Sequence, residues 1–305
     1  MSIATKPSKI TLPADSNRWK TVLDFLIDKF PHVSIEQWQQ RIADGKVHWL
    51  DGSTINDNSA FTKGKVVCYY REVMNEPSIP FEHDIIYQNE HFLIADKPHF
   101  LQVTPGGQFV NECLLARLRR QLNLNDIVPV HRLDRDTAGL VMFSLNPKSR
   151  ASYYELFAKQ RVKKTYYAVA ALTNTVNKLP LSWRVENRIE PSQQERVFQQ
   201  FKVKAGKEIN AKSDIELVEI FSELGLFKLT PHTGKTHQLR LHMLSIGMPI
   251  LNDRYYPVLK PRESAEDYDN PLQLQANSLS FQDPVHGRHY QFASSLKLKC
   301  VSKRS

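Results

Sequence analysis

The sequence predicts an α+β protein built mainly on a largely antiparallel, mixed β-sheet, preceded by a small α/β unit. Three observations lead there. Strand-like segments outnumber helix-like ones, and many of them follow one another as hairpins. Ala138–Leu145 (AGLVMFSL) is a nearly continuous apolar run, as expected of a strand buried on both faces. A length of 305 residues favours roughly two domains.

Residues 1–16, with Pro7 and Pro13 among polar neighbours, read as a flexible arm. A compact unit follows over residues 17–72. In it Leu23, Leu26, Ile27 and Phe30 recur at helical spacing, and Ser34 is placed to cap a second helix through Ile42. Gly45 then leads into a strand over Lys46–Leu50, a turn at Asp51-Gly52 and a β-branched, aromatic strand over Gly64–Tyr70. Residues 73–83 hold two prolines and read as a linker.

The larger domain spans residues 84–305. Ile85–Tyr87 and His91–Ala95 are strands around a turn, and Lys97-Pro98 ends the second. Pro105-Gly106-Gly107 is a tight turn. Asn111–Leu122 is a helix with its leucines on one side, and Arg117, Arg119 and Arg120 read as a solvated face. Arg150–Arg161 is a helix and Val162–Ala171 a strand. Ile215–Phe221 and Leu226–Thr230 form a hairpin, and Lys235–Ser245 is a short helix ended by Gly247. Residues 258–271 read as a surface loop, and the basic tail after Leu296 as frayed.

Lys and Arg total 41 against 32 Asp and Glu, a net charge of +9. That surplus suits a polyanionic partner, although a merely basic soluble protein carries the same signature. Cys68, Cys113 and Cys300 are distant and odd in number, which argues against a disulfide framework or a cysteine-ligated zinc. The first twenty residues hold no apolar run, so neither a signal peptide nor a membrane span is expected and a cytoplasmic chain is.

Three polar clusters carry the candidate chemistry. His131-Arg132-Leu133-Asp134-Arg135-Asp136 sits on a loop just before the apolar strand, where a rigid element can hold a reactive carboxylate; a salt-bridged turn is the plainer reading. Pro231–His242 (PHTGKTHQLRLH) places His237 and Arg240 on one helix face. Its histidines, His232, His237 and His242, are five residues apart with no acid in the segment, unlike the i,i+4 spacing of a helical zinc pair, so no metal is expected there. In Lys163–Ala170 (KKTYYAVA), alternation puts Tyr166, Ala168 and Ala170 on one face, where small neighbours would leave the Tyr166 ring room for a ligand. A core role for Tyr166 and Tyr167 is the alternative.

The ordered series Asp96-Lys97-Pro98, Val103–Gly107, HRLDRDTAGL, KKTYYA, TGKTHQLRLH and PILNDRYY resembles the RluA-type pseudouridine synthases from about Asp84 to Tyr256. The first unit, through Ile42–Val47, resembles more weakly the small RNA-binding domain named after a ribosomal small-subunit protein. The resemblance implies flanking helices around a central cleft, and an isomerase acting on a uridine of ribosomal or transfer RNA, as a monomer and without a cofactor or metal. It makes Asp134 the catalytic aspartate, Arg240 its paired arginine, Tyr166 the tyrosine stacking on the base, and Arg132 the side chain filling the gap left by a flipped nucleotide. His131, Arg135, Lys164, Lys235 and His237 are then expected to contact RNA. Three departures stand out: Ala138 in place of a usual Ser, Lys235 in place of Arg, and Asn252 in place of Gly. An RNA-binding protein on the same fold without turnover is the alternative.

Overall fold

The computed structural model describes residues 1–14, 18–173, 179–192, 201–204, 206, 208–260 and 266–302. The chain divides into two compact units, residues 1–77 with 106–111, and residues 78–105 with 112–305.

The first unit contains β1 (Ser2–Ile3), β2 (Ser8–Thr11), α1 (Val22–Lys29), α2 (Ile35–Ala43), β3 (Val47–Trp49), β4 (Val66–Tyr69) and β5 (Glu72–Val73). Thr21 and Ser34 each close a capping box, which satisfies the orphan amides at the two helix starts. Leu23, Leu26, Trp38, Ile42, Val47 and Val67 pack as one core. The arm expected over residues 1–16 is instead part of this unit: β2 pairs with β4, β1 with β5, and Leu12 is fully buried. Proline content had suggested a loose segment, but the backbone groups between the prolines find partners on β4. The linker expected over residues 73–83 is likewise divided, since β5 ends in it and Ile79 is buried in the second unit.

The second unit contains β6 (Asp84–Gln88), β7 (Phe92–Lys97), α3 (Leu114–Leu122), β8 (Val128–Pro129), β9 (Ala138–Ser144), α4 (Arg150–Ala158), β10 (Lys163–Ala171), β11 (Leu181–Asn187), β12 (Ile189–Pro191), β13 (Phe201–Val203), β14 (Ala211–Phe221), β15 (Leu224–Pro231), α5 (Gln238–Ser245), β16 (Leu274–Gln282), β17 (His289–Ala293) and α6 (Lys299–Ser302). Its ten-stranded sheet runs β11-β14-β15-β10-β16-β9-β7-β6, with β17 added on β16 and β8 on β9. The pairings are antiparallel except between β9 and β16, which meet in parallel at Ala138↔Gln275 and Gly139↔Ala276. Every residue of β9 is buried, as its apolar run requires. Gly139 has a φ of +114°, and a Cβ there would lie 2.2 Å from the Ala276 carbonyl oxygen, so this junction admits only glycine.

Several expectations change. Arg117 is no solvated side chain: it is buried, and its guanidinium donates to the carbonyls of Ile79 and Phe81 and to Glu112. Of the tail expected to fray after Leu296, residues 297–302 are held, because Leu298 is buried and the Cys300 amide donates to the Gln273 side chain, while residues 303–305 lie outside the described residues. Part of the expected loop over 258–271 lies outside the described residues, but Glu266 pairs with Arg135 and Arg254. Among the described residues, no helix is long and apolar enough to cross a membrane.

Candidate active site

A cleft of about 810 Å³ opens in the second unit where three segments meet: the loop before β9, the start of β10, and the turn from β15 into α5. Asp134, Tyr166, Arg240, Arg132, Lys164 and Lys235 all line it. The sequence had placed these residues in three separate clusters, and the fold brings them to one wall.

The loop carrying Asp134 is held from behind by Lys97. This fully buried ammonium donates to the carbonyls of Pro98, Leu101 and Arg135 at 2.9, 2.7 and 3.0 Å. Burial pulls its pKa down to about 7, against the raising effect of Asp136 and Asp134. The sequence marks Lys97 as the end of a strand and as part of the Asp96-Lys97-Pro98 motif of the resemblance, without a role of its own. Two ionisable residues, Asp96 and Lys97, closing an apolar strand just before a proline, were the available signal.

The turn into α5 is pinned by Gln238. Its side-chain oxygen accepts from the Thr233 hydroxyl and the Lys235 amide, and its amide group donates to the Lys212 carbonyl and Ser213. His237 takes a left-handed conformation at the helix cap, with a φ of +57°. One turn into α5, Arg240 is 1 % exposed. Its Nε and Nη2 bind Asp253 bidentately at 2.7 and 2.5 Å, while Nη1 faces Asp134 Oδ2 at 3.7 Å. The expected Arg240–Asp134 pair is therefore the looser half of a relay, and the tight partner is Asp253. Asp253 also accepts the backbone amides of Tyr255 and Tyr256. Although burial opposes it, the Asp253 bonds and the nearby Asp134 and Asp136 raise the Arg240 pKa, so this guanidinium stays charged.

Asp134 keeps 31 % of its side chain exposed, into the cleft. Surrounding protein pushes its pKa above the ordinary carboxylate value, while Arg240 and Lys97 pull it back. His237 Nε2 lies 3.9 Å from the same carboxylate oxygen. The Tyr166 hydroxyl is driven upward by burial and by the Asp134 charge, so it remains a protonated phenol. A register shift between Thr165 and Tyr166, where β10 meets β16, re-aims the tyrosine. Ala168 and Ala170 do not open space for a ligand as expected. They are fully buried, in the core cluster that also holds Leu239 and Met243 of α5.

The expected RNA contacts divide into two groups. Arg132 and Lys235 are exposed at the cleft and Lys164 is half-buried on its wall. Arg135, by contrast, is held by Glu266 at 2.5 Å and lies 3.6 Å from Asp136, which turns its charge inward. His131 stacks on Phe157 at 4.5 Å, and its Nε2 accepts the Met142 amide. His237 is buried with its Nδ1 on the Tyr256 hydroxyl at 2.8 Å. The three histidines of the second cluster go to separate partners, His232 to Asp214, His237 to Tyr256 and His242 to Asn187. Asn252 accommodates the loss of a glycine by adopting a φ of +62°, a region asparagine tolerates, with its amide on the Pro271 carbonyl.

Burial keeps four histidines neutral, with His131 and His237 pushed down to about 3 and His99 and His242 to about 4. An unfolded histidine takes up a proton near pH 6.5. Their contribution to stability is therefore complete above that pH and is lost as the pH falls toward about 4. Asp96, Asp134 and Asp136, whose pKa values are raised by burial, act in the opposite sense. The melting temperature should fall clearly between pH 7.5 and 5.5 in thermal scans; an equal or higher value at pH 5.5 would contradict this balance.

Residues 91–245, about half of the chain, match the family model described as RNA pseudouridylate synthase. A dual-specificity RNA pseudouridine synthase, RluA, of Haemophilus influenzae is 32% identical over 228 residues, covering 72% of this chain and 94% of the relative. An uncharacterised RNA pseudouridine synthase of Synechocystis is 28% identical over 235 residues, covering 77% of this chain and 79% of the relative. The solved structure of human RNA pseudouridylate synthase domain containing 1 shares the fold, with a TM-score of 0.56 at 22% identity, over 73% of this chain and 86% of that one. With its motifs gathered on one cleft and these relatives aligned along most of its length, the chain belongs to the RluA-type RNA pseudouridine synthases, isomerases that convert uridine in RNA to pseudouridine.

Proposed function

We propose that this protein isomerises a specific uridine of ribosomal or transfer RNA, with Asp134 as the catalytic carboxylate, Arg240 holding it, Tyr166 against the base and Arg132 in the space the nucleotide vacates. The observation that carries this reading is a carboxylate exposed to a roomy cleft and faced by a charged, rigidly bonded guanidinium 3.7 Å away. The reaction breaks the bond between ribose C1′ and uracil N1, turns the ring and joins C1′ to C5. The proton leaving C5 is balanced by one gained at N1. No electrons are exchanged with an outside partner. Asp134 can begin it by attacking C1′ or by removing the 2′ proton; both roles require the ionised form that Arg240 and Lys97 favour. Since Tyr166 stays protonated, it suits stacking and hydrogen-bond donation rather than service as a base.

The uridine must leave its stack to reach Asp134, at a cost of a few kcal/mol that is smallest in loops and bulges. Arg132, exposed at the cleft mouth, is placed to offset part of that cost, while Lys164 and Lys235 suit phosphate. The first unit, by its resemblance, would add RNA affinity. A binder without turnover would have no use for a buried Arg240–Asp253 fork aimed at an exposed carboxylate. Pseudouridine mapping of total RNA tests the proposal: one or a few sites should vanish from cells lacking the gene and return with the parent protein. An unchanged map would refute it. In the same assay Arg132→Ala should restore sites in structured RNA less well than sites in flexible strands.

A further inference from the structure

Far along the same sheet, the turn between β6 and β7 and the turn between β16 and β17 bring Glu90, His91 and His286 together. One ligand atom from each lies within 4.8 Å of the others, and this is the one such group among the described residues. Glu90 Oε1 is 3.3 Å from His91 Nε2 and 3.8 Å from His286 Nε2. Two donors bound at ~2.0–2.1 Å to one tetrahedral ion stand roughly 3.3–3.4 Å apart. The first pair is already at that separation, and the second reaches it by a small motion of the exposed Glu90 side chain.

The orientation of His91 strengthens the case. Its side chain is only 12% exposed, and its Nδ1 is 3.1 Å from Ser149 Oγ. Ser149 Oγ in turn reaches the Asn146 carbonyl at 3.5 Å, so the ring is anchored through Nδ1. With Nδ1 engaged, Nε2 is the ring nitrogen that faces the Glu90 carboxylate oxygen, and a cation between the two is shared by both. A hydrogen-bond partner behind the ring, as Ser149 is here, also orients metal-ligating histidines.

We propose that Glu90, His91 and His286 form a binding site for zinc or a similar borderline divalent ion, with water completing the fourth position. Two imidazole nitrogens and one carboxylate suit such an ion and not magnesium or calcium, which prefer an all-oxygen shell. None of the three residues lines the cleft, so the ion ties the two turns together and takes no part in the reaction.

The test uses tag-free full-length protein, stripped with chelator and titrated with ZnCl2 by calorimetry. We expect one zinc per chain with a dissociation constant on the order of micromolar, a melting temperature raised by a few degrees under saturating zinc, and no response to MgCl2. Because His286 is half-exposed, His286→Ala should melt like the metal-free parent yet bind zinc at least about tenfold more weakly. Glu90→Gln should weaken binding as well. Binding no tighter than about 100 μM, or equal zinc affinity in both variants and the parent, would overturn the site. Loss of pseudouridine formation on chelation would overturn its structural role.

Discussion

Replacing Asp134 with asparagine is expected to lower pseudouridine formation by at least about a thousandfold while leaving RNA binding within about twofold. Asparagine keeps the shape of the side chain but can neither attack C1′ nor remove a 2′ proton. The fold should tolerate the change. Arg240 retains both bonds to Asp253 when the looser partner loses its charge, and Asp134 is partly exposed. Turnover measured on a substrate RNA, beside binding measured by filter retention, separates the two effects. Retained turnover within tenfold of the parent would sink the assignment of Asp134, whatever the RNA map showed.

The second large effect should come from a residue that is not placed to touch substrate. Asp253→Asn leaves a buried guanidinium with one of its two acceptor oxygens replaced by a donor. Breaking a buried, bidentate pair in this way costs about 3–5 kcal/mol, so the melting temperature should drop markedly. Beyond stability, Nη1 of Arg240 would no longer be held toward Asp134, and a displacement of about 1 Å at a reacting group costs roughly a hundredfold in rate. We therefore expect kcat to fall by about that factor with KM little changed, assayed well below the melting temperature. A variant that is less stable but turns over normally would confine Asp253 to the fold.

Asp134, Tyr166 and Arg240 stood out as members of separate clusters, but the residues alone favoured a salt-bridged turn and a core tyrosine; only the resemblance joined them, and the fold sets all three on one cleft. The loop before β9 is marked by the apolar run that follows it, and α5 by its spacing. Asp253 was not legible, although it stands in a segment that was singled out. Its partner is thirteen residues away across a turn, and nothing local shows that its carboxylate faces inward. Arg135 misled for a related reason: a basic residue in a loop reads as exposed until Glu266, 131 residues later, is seen to reach it. Among the strands, β9 and β10 were evident from apolar and β-branched content. Strand β16 (LQANSLSFQ) passed unnoticed because it has no β-branched residue and gains its place only by pairing with β9, β10 and β17.

Ala276 faces Gly139 on one side and Tyr166 on the other. Gly139, where the loop bearing the carboxylate has joined β9, and Tyr166 are thereby set two sheet spacings apart, roughly 10 Å, by peptide geometry alone. Substitutions at the rim of the cleft leave that spacing unchanged. Lengthening β16 by one residue ahead of Ala276 would slide the gauge itself.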